Sequence, residues 1–494
     1  MQENGFPHLN NENTKVALVE GDKSHTYSEV NQRINRFASG ILGDKEDLQE
    51  ERVAFFLPAS LDYVTTMHGV WRAGGITVPL NVASAVPELE HYLSCASVTR
   101  MVSTGKYLES LRGLCESMGI TLVAVEDVLA DEIGSLPDID PNRRGMMLFT
   151  SGTTNKPKGV VSTHKTIRAQ ITTLIEAWSW TEEDVIPLFL PLHHIHGIIN
   201  ILSCGLWAGA TVHLFVKFDA AKIMQQVVAG TYNVFMAVPT IYVKLIQYFE
   251  TIDQTEVQKI CDGFSPMRLN ISGSAACPVK LFNQWKELTG QVLLERYGMT
   301  EIGMGLSNPY DGERRAGAVG KPLPGVEAAL FDEDHKIITE EDTPGEIRIK
   351  GDNVFLEYWD NPTATEESFH DGWFCTGDIA VVENGYYRIM GRSSIDIIKS
   401  GGYKLSGLEI EGTLLLHEDV LEVAVIGVED ETWGESVMAF IALRDGASME
   451  YADLKAWCDG KMSSYKIPKA ISIIDELPRN AMGKVTKSKL KDLL

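Results

Sequence analysis

The stretch "TSGTTNKPKGV" at residues 150–160 concentrates hydroxyl groups, glycines and lysines directly after the apolar run "GMMLF". A strand that leads into a loop rich in Gly, Ser and Thr can bind an anion, because backbone N–H groups converge there and glycine permits close approach. The order Lys158-Gly159-Val160 differs from a Walker A loop, in which Gly-Lys is followed by Ser or Thr. The stretch therefore predicts a phosphate-binding loop, and the alternative is a hairpin turn that carries lysines.

Composition limits the class of protein to which this loop can belong. With 494 residues, 44% hydrophobic and 23% charged, the chain is typical of a globular protein of two or more domains. A formal charge of −24 argues against nucleic acid or an anionic membrane as a partner, so local cations and backbone amides must hold any anionic ligand. The seven cysteines include no CxxC pair, which fits thiols in a reducing compartment. Without an apolar signal segment or a run of 18 apolar residues, we expect a cytoplasmic protein with no membrane span.

Apolar runs separated by helix-length segments predict parallel strands with crossover helices. The run "RVAFFLP" (52–58) predicts a buried strand, and the segment 61–74 after it has apolar residues at helical spacing. The strand pattern repeats in "ITVPL", "RMVST", "TLVAV", "VIPLFL", "TVHLFV", "NVFMAV" and "RLNIS". After about residue 390, the runs "VAVIGV", "VMAFIAL" and "AISIIDEL" indicate a small α+β unit. The polar, glycine-rich segment "GRSSIDIIKSGG" (391–402) between the two parts is predicted to contain a hinge.

Further motifs follow the phosphate-loop stretch along the chain: "ERYGMTE" (295–301), "CTGD" (375–378), "GRSSIDIIKSGGYKLSGLEIE" (391–411) and "PRNAMGKVTK" (478–487). In this order they resemble the motifs of the adenylate-forming superfamily, which comprises acyl-CoA synthetases, adenylation domains and beetle luciferases. The resemblance extends over nearly the whole chain. It implies an α/β fold with a large N-terminal ATP- and acyl-binding domain (1–390) of parallel-rich sheets and crossover helices, a hinge (391–396) and a small, mobile α+β C-terminal domain (397–494).

The family's reaction converts a carboxylate and ATP into an acyl-adenylate and pyrophosphate, and a thiol then attacks the adenylate to give a thioester. In-line attack at the α-phosphorus needs positioned positive charge instead of a protein nucleophile. The resemblance implies that Glu301 binds Mg²⁺ and that Thr300 contacts the α-phosphate. It assigns the remaining ATP contacts to Thr150, Ser151, Gly152, Thr153, Thr154 and Lys158 for the phosphates, to Ser274, Ala275 and Tyr297 for the adenine pocket, and to Asp378 and Arg392 for the ribose. An ordinary core aromatic is the alternative for Tyr297, and without the resemblance Asp378 could equally be a turn residue.

The resemblance assigns the first half-reaction to Lys484, which would bridge the carboxylate and ATP; in isolation this lysine is a solvated surface residue. The thiol of coenzyme A must enter the same site afterwards, so the small domain is expected to swing about Asp396. Lys399, Gly401 and Gly402 are then assigned to the pantetheine tunnel. The separation of Arg392 and Asp396 is one residue longer than in many family members and matches the malonyl-CoA synthetase branch.

The segment "PLHHIHG" (191–197) resembles the family's segment at the mouth of the acyl pocket. The resemblance implies that His194 is both catalytic and substrate-binding, and that His196 binds the substrate. A metal site is a poor interpretation of these histidines, since no Cys or carboxylate lies at ligand spacing; a buried structural histidine is the alternative for His196. Arg296 would direct a permanent charge toward the pocket, and a buried arginine is costly without an anion. An anionic substrate satisfies it, and a salt bridge with Glu295 or another carboxylate is the alternative. Arg314 or Arg315 is expected to support a second substrate carboxylate, unless the loop carries both on the surface.

"ERYGMTE" followed by "SNPYDGERRAGAVGKPLPGVE" resembles the malonyl-CoA synthetases, which activate malonate or methylmalonate. We therefore expect an ATP-dependent acid–CoA ligase that uses ATP, Mg²⁺ and coenzyme A with a small dicarboxylic acid, and no nucleic-acid partner. An aryl or short- to medium-chain fatty acid ligase is the alternative within the family. Outside it stand an adenylation enzyme that loads a carrier protein, disfavoured because no carrier domain follows residue 494, and a luciferase-like oxidoreductase. The oligomeric state is left open.

Overall fold

The computed structural model describes residues 5–150, 157–393, 395–400, 403–430, 433–479 and 485–494. The strands are β1 Val16–Glu20, β2 Lys23–Thr26, β3 Arg52–Phe56, β4 Ile76–Pro79, β5 Arg100–Ser103, β6 Thr121–Ala124, β7 Arg144–Thr150, β8 Lys158–Thr163, β9 Val185–Leu188, β10 Thr211–Leu214, β11 Val234–Ala237, β12 Leu269–Ser272, β13 Leu294–Met299, β14 Gly303–Ser307, β15 Lys321–Pro322, β16 Glu327–Phe331, β17 Ile337–Ile338, β18 Gly345–Lys350, β19 Glu357–Tyr358, β20 Phe369–His370, β21 Trp373–Glu383, β22 Tyr386–Arg392, β23 Ile397–Ser400, β24 Tyr403–Ser406, β25 Val420–Asp430, β26 Gly434–Leu443 and β27 Ala470–Ile473. The helices are α1 Tyr27–Leu42, α2 Leu61–Arg72, α3 Val86–Cys95, α4 Gly105–Met118, α5 Val125–Val128, α6 His164–Ala177, the π-helix His196–Ser203, α7 Cys204–Ala208, α8 Ala220–Val228, α9 Pro239–Phe249, α10 Gln254–Phe264, α11 Val279–Thr289, α12 Pro362–Glu367, α13 Gly407–Leu414, α14 Tyr451–Cys458 and α15 Lys487–Lys491.

Local sequence accounts for many element boundaries. Helix α1 begins after Thr26, whose hydroxyl accepts from the Glu29 backbone N–H while the Glu29 carboxylate accepts from the Thr26 N–H, so two otherwise unsatisfied donors are paired. Helix α2 begins after Ser60, whose hydroxyl accepts a hydrogen bond of 3.2 Å from the Tyr63 backbone N–H. Every apolar run predicted to be a strand is a strand in the structure, and the predicted helix 61–74 corresponds to α2.

Three sheets of the large domain contain the predicted parallel pairings. One has the order β19-β8-β7-β4-β3-β5-β6, in which β4, β3, β5 and β6 are parallel. The others have the orders β2-β1-β10-β9 and β11-β12-β13-β14-β15, with parallel pairs in each. The strands β3 and β4 are buried almost throughout, as expected for parallel strands covered on both faces. The α/β fold class predicted from the sequence is confirmed.

A further sheet of the large domain is antiparallel, with the order β17-β16-β18-β21-β20 and β22 paired with β21. Short connections join several of its neighbours, and such connections allow only antiparallel pairing. This sheet carries the "CTGD" motif on β21 and ends at Arg392 on β22. It therefore positions the predicted ribose-binding residues directly before the predicted hinge.

The C-terminal part forms a smaller α+β unit around the sheet β24-β23-β26-β25, with β27 parallel to β26. Its apolar residues form a separate buried cluster that includes Ile398, Ile410, Val425 and Ile441. The exact domain boundaries and the hinge stay predictions. Among the described residues, no helix has the length and apolar character needed to cross a membrane.

Candidate active site

The phosphate-loop stretch connects two antiparallel strands. Thr150 ends β7, Lys158 begins β8, and the two residues are opposite each other in the sheet register. The residues between them that the sequence assigned to phosphates, Ser151, Gly152, Thr153 and Thr154, lie outside the described residues. The stretch is thus flanked as a hairpin, and both flanking residues line a cavity. A hairpin and an anion site are therefore compatible interpretations of the same loop.

This cavity has a volume of about 300 Å³ and brings together motifs that are far apart in the chain. It is lined by Thr150, Lys158, Met299, Glu301, Glu346, Tyr358, Phe374, Cys375, Thr376, Gly377, Arg392 and Ser393. Lys158 and Arg392 supply positive charge to it, and Glu301 and Glu346 supply negative charge. A polyphosphate with a bound cation matches this mixture, because phosphates need the cations and a metal ion needs a carboxylate.

Glu301 lies at the turn after β13 and is only 5% exposed. The Tyr358 hydroxyl donates a hydrogen bond of 2.9 Å to its Oε1, and the Lys158 ammonium lies 4.8 Å from the centre of the Tyr358 ring. Burial raises the pKa of Glu301 above its ordinary range, although Tyr358, Arg392 and Lys158 oppose that shift. The described residues include no cluster of three or more His, Cys, Asp and Glu side chains arranged to hold a metal. A single carboxylate fits Mg²⁺ that takes its other ligands from phosphate oxygens and water.

Asp378 is the centre of a buried polar group at the end of the "CTGD" motif. The Tyr297 hydroxyl donates to Asp378 Oδ2 at 2.5 Å, and Arg392 Nε lies 3.0 Å from Oδ1. Burial raises the pKa of Asp378, while Arg392 and Tyr297 act in the opposite direction. Both interpretations of Asp378 have a structural basis, since the preceding Gly377 has φ of +72°, typical of a turn, and Asp378 is buried, with 7% of the residue exposed. Its arrangement beside Arg392 suits paired hydroxyl donors such as those of a ribose.

Glu346 on β18 supports this motif and was not singled out in the sequence. Its Oε1 accepts from the Gly377 backbone N–H at 3.1 Å, and its Oε2 accepts from Arg348 Nε at 2.9 Å. Tyr358 was also not singled out in the sequence, because its partner Glu301 is 57 residues away in the chain. A carboxylate on an alternating strand and a tyrosine on a two-residue strand carry no sequence signal that distinguishes them from surface and core residues.

A second group of polar side chains is buried around Arg296. Arg296 Nη2 donates to Ser274 Oγ at 3.3 Å, and Ser274 Oγ lies 3.2 Å from His196 Nδ1. The Arg296 Nε and the His196 Nε2 have no hydrogen-bond partner among the described residues. Gly273 is required beside this group, because a Cβ there would lie 2.5 Å from Arg296 Nε. The predicted residues His196, Ser274 and Arg296 are therefore brought together.

The alternative salt bridge between Arg296 and Glu295 is not formed. The two residues are adjacent on β13 and point to opposite faces of the strand, where Glu295 Oε1 accepts from the Gly317 N–H at 2.7 Å. Among the described residues, no carboxylate lies within ion-pair distance of the Arg296 guanidinium. Arg296 is buried, with 4% of the residue exposed. Burial lowers the pKa of Arg296 to about 9 and that of His196 well below its ordinary value, with Arg296 adding to the latter shift. The site thus holds a desolvated cation beside a neutral imidazole, which is a receptor for an anion.

Arg315 is not brought into this group. Its guanidinium pairs with Glu313 at 2.8 Å, donates to the Glu383 backbone carbonyl and lies 4.0 Å from the centre of the Tyr386 ring. These contacts agree with the alternative, in which the loop carries Arg315 at the surface.

His194 precedes the π-helix that carries His196, and its ring packs on His193 at 4.2 Å between centroids.

Some of the remaining predicted site residues are described by the structure, and the others lie outside the described residues. Thr300 is half-buried beside Glu301, Ala275 is exposed next to Ser274, and Lys399 has an exposed side chain on β23. Lys484, Gly401 and Gly402 lie outside the described residues. The carboxylate of Asp396 accepts from the Arg392 backbone N–H at 3.0 Å and from Lys487 Nζ at 2.6 Å, so the residue predicted to be the hinge touches both parts of the chain.

Both parts of the chain match known proteins. Residues 7–359 match the family of AMP-binding enzymes, and residues 409–484 match the AMP-binding enzyme C-terminal domain. The mitochondrial malonate–CoA ligase ACSF3 of Mus musculus is 41% identical over 96% of this chain and 88% of its own length. ATP-bound MatB from Rhodopseudomonas palustris has a TM-score of 0.91 at 32% identity, over 100% of this chain and 99% of its own. A malonyl-CoA ligase in a ternary product complex with methylmalonyl-CoA and AMP has a TM-score of 0.70 at 33% identity, over 96% and 100%. With family matches in both parts, a relative of this identity and coverage, and motif residues gathered at one cavity, the chain belongs to the family of AMP-binding enzymes.

Proposed function

We propose that this protein is an AMP-forming malonate–CoA ligase, which converts malonate, ATP and coenzyme A into malonyl-CoA, AMP and diphosphate through a malonyl-adenylate. The observation that carries the choice of acid is the buried Arg296, which has no carboxylate partner among the described residues. Malonate offers one carboxylate to ATP and keeps a second that needs neutralisation. The relatives named malonate–CoA ligase support the same substrate.

Recognition of the second carboxylate is assigned to Arg296 and His196. Ser274, which the sequence assigned to the adenine pocket, is added to them because its hydroxyl accepts from Arg296. A guanidinium can bind a carboxylate through two parallel hydrogen bonds, and such a pair is strong where water is excluded. Arg296 Nε, which lacks a partner in the described residues, supplies one donor. The neutral His196 can accept from or donate to Ser274 without adding a charge. His194, at the start of the same segment, is proposed to contact the acid.

Adenylation takes place at the cavity between Lys158 and Arg392. Lys158 and the loop that follows Thr150 hold the β- and γ-phosphates, Asp378 and Arg392 hold the ribose, and Tyr297 and Ala275 border the adenine. A bound Mg²⁺ at Glu301 neutralises phosphate charge when present. The substrate carboxylate attacks the α-phosphorus, the bond to the bridging oxygen breaks, and the electron pair leaves with diphosphate. Thr300 and Lys484 stabilise the charge that develops on the α-phosphate and the carboxylate.

Thioester formation follows at the same acyl carbon. The thiol of coenzyme A loses its proton and adds to the carbonyl of the mixed anhydride, and AMP leaves with the electron pair of the anhydride bond. We assign the approach of the pantetheine arm to Lys399, Gly401 and Gly402, after rotation about Asp396.

The cysteine pattern is that of a reducing compartment such as the cytoplasm, whereas the mouse relative is named mitochondrial. Localisation of the tagged full-length protein decides between these compartments.

The experiment is a substrate panel scored by release of pyrophosphate at matched ATP and Mg²⁺. Malonate, methylmalonate, butyrate and benzoate are compared, and product formation is then followed with coenzyme A or a carrier protein as the acceptor. Malonate or methylmalonate should give the highest kcat/KM, with coenzyme A as the acceptor. Faster turnover of butyrate or benzoate would replace the dicarboxylate proposal with a monocarboxylate ligase, and preference for the carrier protein would replace it with a carrier-loading enzyme.

A further inference from the structure

Three charged side chains meet at the junction between the large and the small domain. Lys487 Nζ lies 2.6 Å from Asp396 Oδ1 and 2.6 Å from Glu411 Oε1. The side chains of Lys487, Asp396 and Glu411 are 9%, 14% and 13% exposed, so water competes poorly for any of them. A buried cluster of this kind depends on all of its members, because removal of one leaves the others without compensation.

The members of the cluster belong to different structural units. Glu411 lies on α13 and its Oε1 also accepts from the Val425 backbone N–H on β25 at 2.7 Å, which fixes it to the sheet of the small domain. Lys487 begins α15, three positions after Lys484 in the chain. Asp396 lies in the connecting segment between β22 and β23. The contact between Lys487 and Asp396 therefore joins the C-terminal segment of the small domain to the connection between domains.

Asp396 continues this connection into the nucleotide site. Its Oδ2 accepts from the Arg392 backbone N–H at 3.0 Å, and the Arg392 side chain pairs with Asp378 at 3.0 Å. Asp378 in turn accepts from Tyr297. Gly391 permits the approach, because it has φ of +124° and a Cβ there would lie 2.2 Å from the Asp396 Cβ. Contiguous contacts thus run from the predicted ribose site through Asp396 to Lys487.

Charge makes this connection sensitive to Lys487. Burial by itself lowers the pKa of Lys487, but Glu411 and Asp396 outweigh burial and raise it, so the amine is charged at neutral pH. Without the ammonium group, the carboxylates of Asp396 and Glu411 would face each other across a site with little water, and like charges in that environment repel. Asp396 would then leave Glu411, and the hydrogen bond that it accepts from Arg392 would be strained or lost.

The whole chain resembles two solved relatives to different degrees. The whole-chain similarity is higher to ATP-bound MatB than to the ternary product complex with methylmalonyl-CoA and AMP, although the sequence identities are nearly the same. The contact between Lys487 and Asp396 thus occurs in a structure that is closer overall to the ATP-bound relative.

We infer that Lys487 is a positioning residue that holds the hinge at Asp396 in the domain orientation used for adenylate formation, and that its contact with Asp396 is released for thioester formation. This inference rests on the proposed two-step ligase activity. Since Glu411 is fixed within the small domain, the pair formed by Lys487 and Glu411 can persist during rotation while the pair with Asp396 breaks. The same lysine then biases the equilibrium between two orientations, and a bias is measurable as a difference between the half-reactions.

The test compares Lys487→Met, which keeps the apolar stem without the charge, with Lys487→Arg, which keeps a cation. Lys489→Met is the matched control, because Lys489 lies in the same helix with an exposed side chain. Adenylation is measured as malonate-dependent pyrophosphate release without coenzyme A. Thioester formation is measured from preformed acyl-adenylate and coenzyme A. We expect Lys487→Met to slow adenylation by about 10- to 100-fold while thioester formation changes by less than about threefold. Lys487→Arg should recover most of the lost rate.

Hydrogen exchange gives a readout that does not require turnover. Three backbone amides report on the hinge. The Arg392 N–H donates to Asp396 Oδ2, and the Asp396 N–H donates to the Arg392 carbonyl. The Gly407 N–H donates to the Asp396 carbonyl. We expect these amides to exchange about tenfold or more faster in Lys487→Met than in the wild type or in Lys489→Met, with or without ATP. Equal loss of both half-reactions in Lys487→Met, or unchanged exchange at these amides, would overturn the inference and leave Lys487 a general structural residue. If the wild type releases no pyrophosphate with any acid, the proposed function fails, whereas the exchange experiment still decides on the role of Lys487 at the hinge.

Discussion

Replacement of Arg296 by leucine tests the choice of substrate most directly. Arg296 is 4% exposed, and its nearest described polar partner is the neutral Ser274 hydroxyl at 3.3 Å. When malonate binds, its second carboxylate is buried beside this guanidinium. In Arg296→Leu that carboxylate would be buried without a counter-charge, which costs roughly 3–5 kcal/mol, and kcat/KM for malonate should fall by about 10²–10⁴. Butyrate should be retained or improved as a substrate, because the pocket becomes apolar.

The same substitution is expected to stabilise the folded protein, although it lowers activity with malonate. The pKa of Arg296 is lowered from its ordinary value of 12.5 to about 9 by burial, so the folded protein disfavours the charged form by an amount on the order of 5 kcal/mol at neutral pH. This penalty is present at every pH below about 9, where the guanidinium is charged in both the folded and the unfolded chain. Leucine removes it and leaves some lost packing and the Ser274 hydroxyl with fewer partners. We expect the free energy of unfolding to increase by about 1–4 kcal/mol.

The assay measures pyrophosphate release with malonate and with butyrate at matched ATP and Mg²⁺, together with thermal unfolding of the free enzyme. Arg112→Leu is the control, since Arg112 is 62% exposed on α4 and pairs only at the surface with Glu109. It should leave both activities and the unfolding midpoint nearly unchanged. The reasoning is refuted if malonate and butyrate activity fall together with a raised KM for ATP, or if Arg296→Leu is strongly destabilised. Either result would make Arg296 a structural residue of the nucleotide site.

Further expectations concern Lys484, Arg315 and Glu295. Lys484→Ala should slow adenylation by about 10²–10³ and spare thioester formation from preformed acyl-adenylate, as measured in separate half-reaction assays. Arg315→Leu should keep kcat/KM for malonate within about threefold, because its guanidinium contacts Glu313 and Tyr386 at the surface. Burial raises the pKa of Glu295 from about 4.5 to about 8, although the Gly317 N–H opposes this shift. Its stabilising contribution is therefore full below about pH 4.5 and is lost as the pH rises through 8, so Glu295→Gln should be more stable than the wild type at pH 9 by a few kcal/mol in denaturant unfolding.

Each of these expectations has a contrary result. Equal loss of both half-reactions in Lys484→Ala would remove its restriction to adenylation. A loss of more than tenfold for malonate alone in Arg315→Leu would return Arg315 to the substrate site. A difference in unfolding free energy between Glu295→Gln and the wild type that does not change between pH 5 and pH 9 would show that Glu295 does not titrate as proposed.

Much of this protein could be predicted from local sequence, because strands, helices and backbone loops leave local patterns. The apolar runs at 52–58 and 268–272 contain β3 and β12, since period and side-chain type decide local structure when a segment is buried on both faces. The motif segments at 150–160, 295–301 and 375–378 were predicted to share one site because together they resemble the motifs of one enzyme family. The cavity that joins Lys158, Glu301 and Arg392 agrees with that expectation.

Partners of the buried charges could not be predicted, because they depend on which distant segments pack together. The sequence left open whether Arg296 pairs with Glu295, and the two side chains are separated because both residues lie on strand β13, where adjacent side chains point to opposite faces. The sequence also allowed Arg315 a place at the substrate, whereas folding of its loop brings it against Glu313 and Tyr386. Lys487 has neighbours in the chain that resemble any solvated lysine-rich terminus. Its contact with Asp396, 91 residues away, exists only because the small domain packs against the connecting segment, and burial there gives the ion pair its strength.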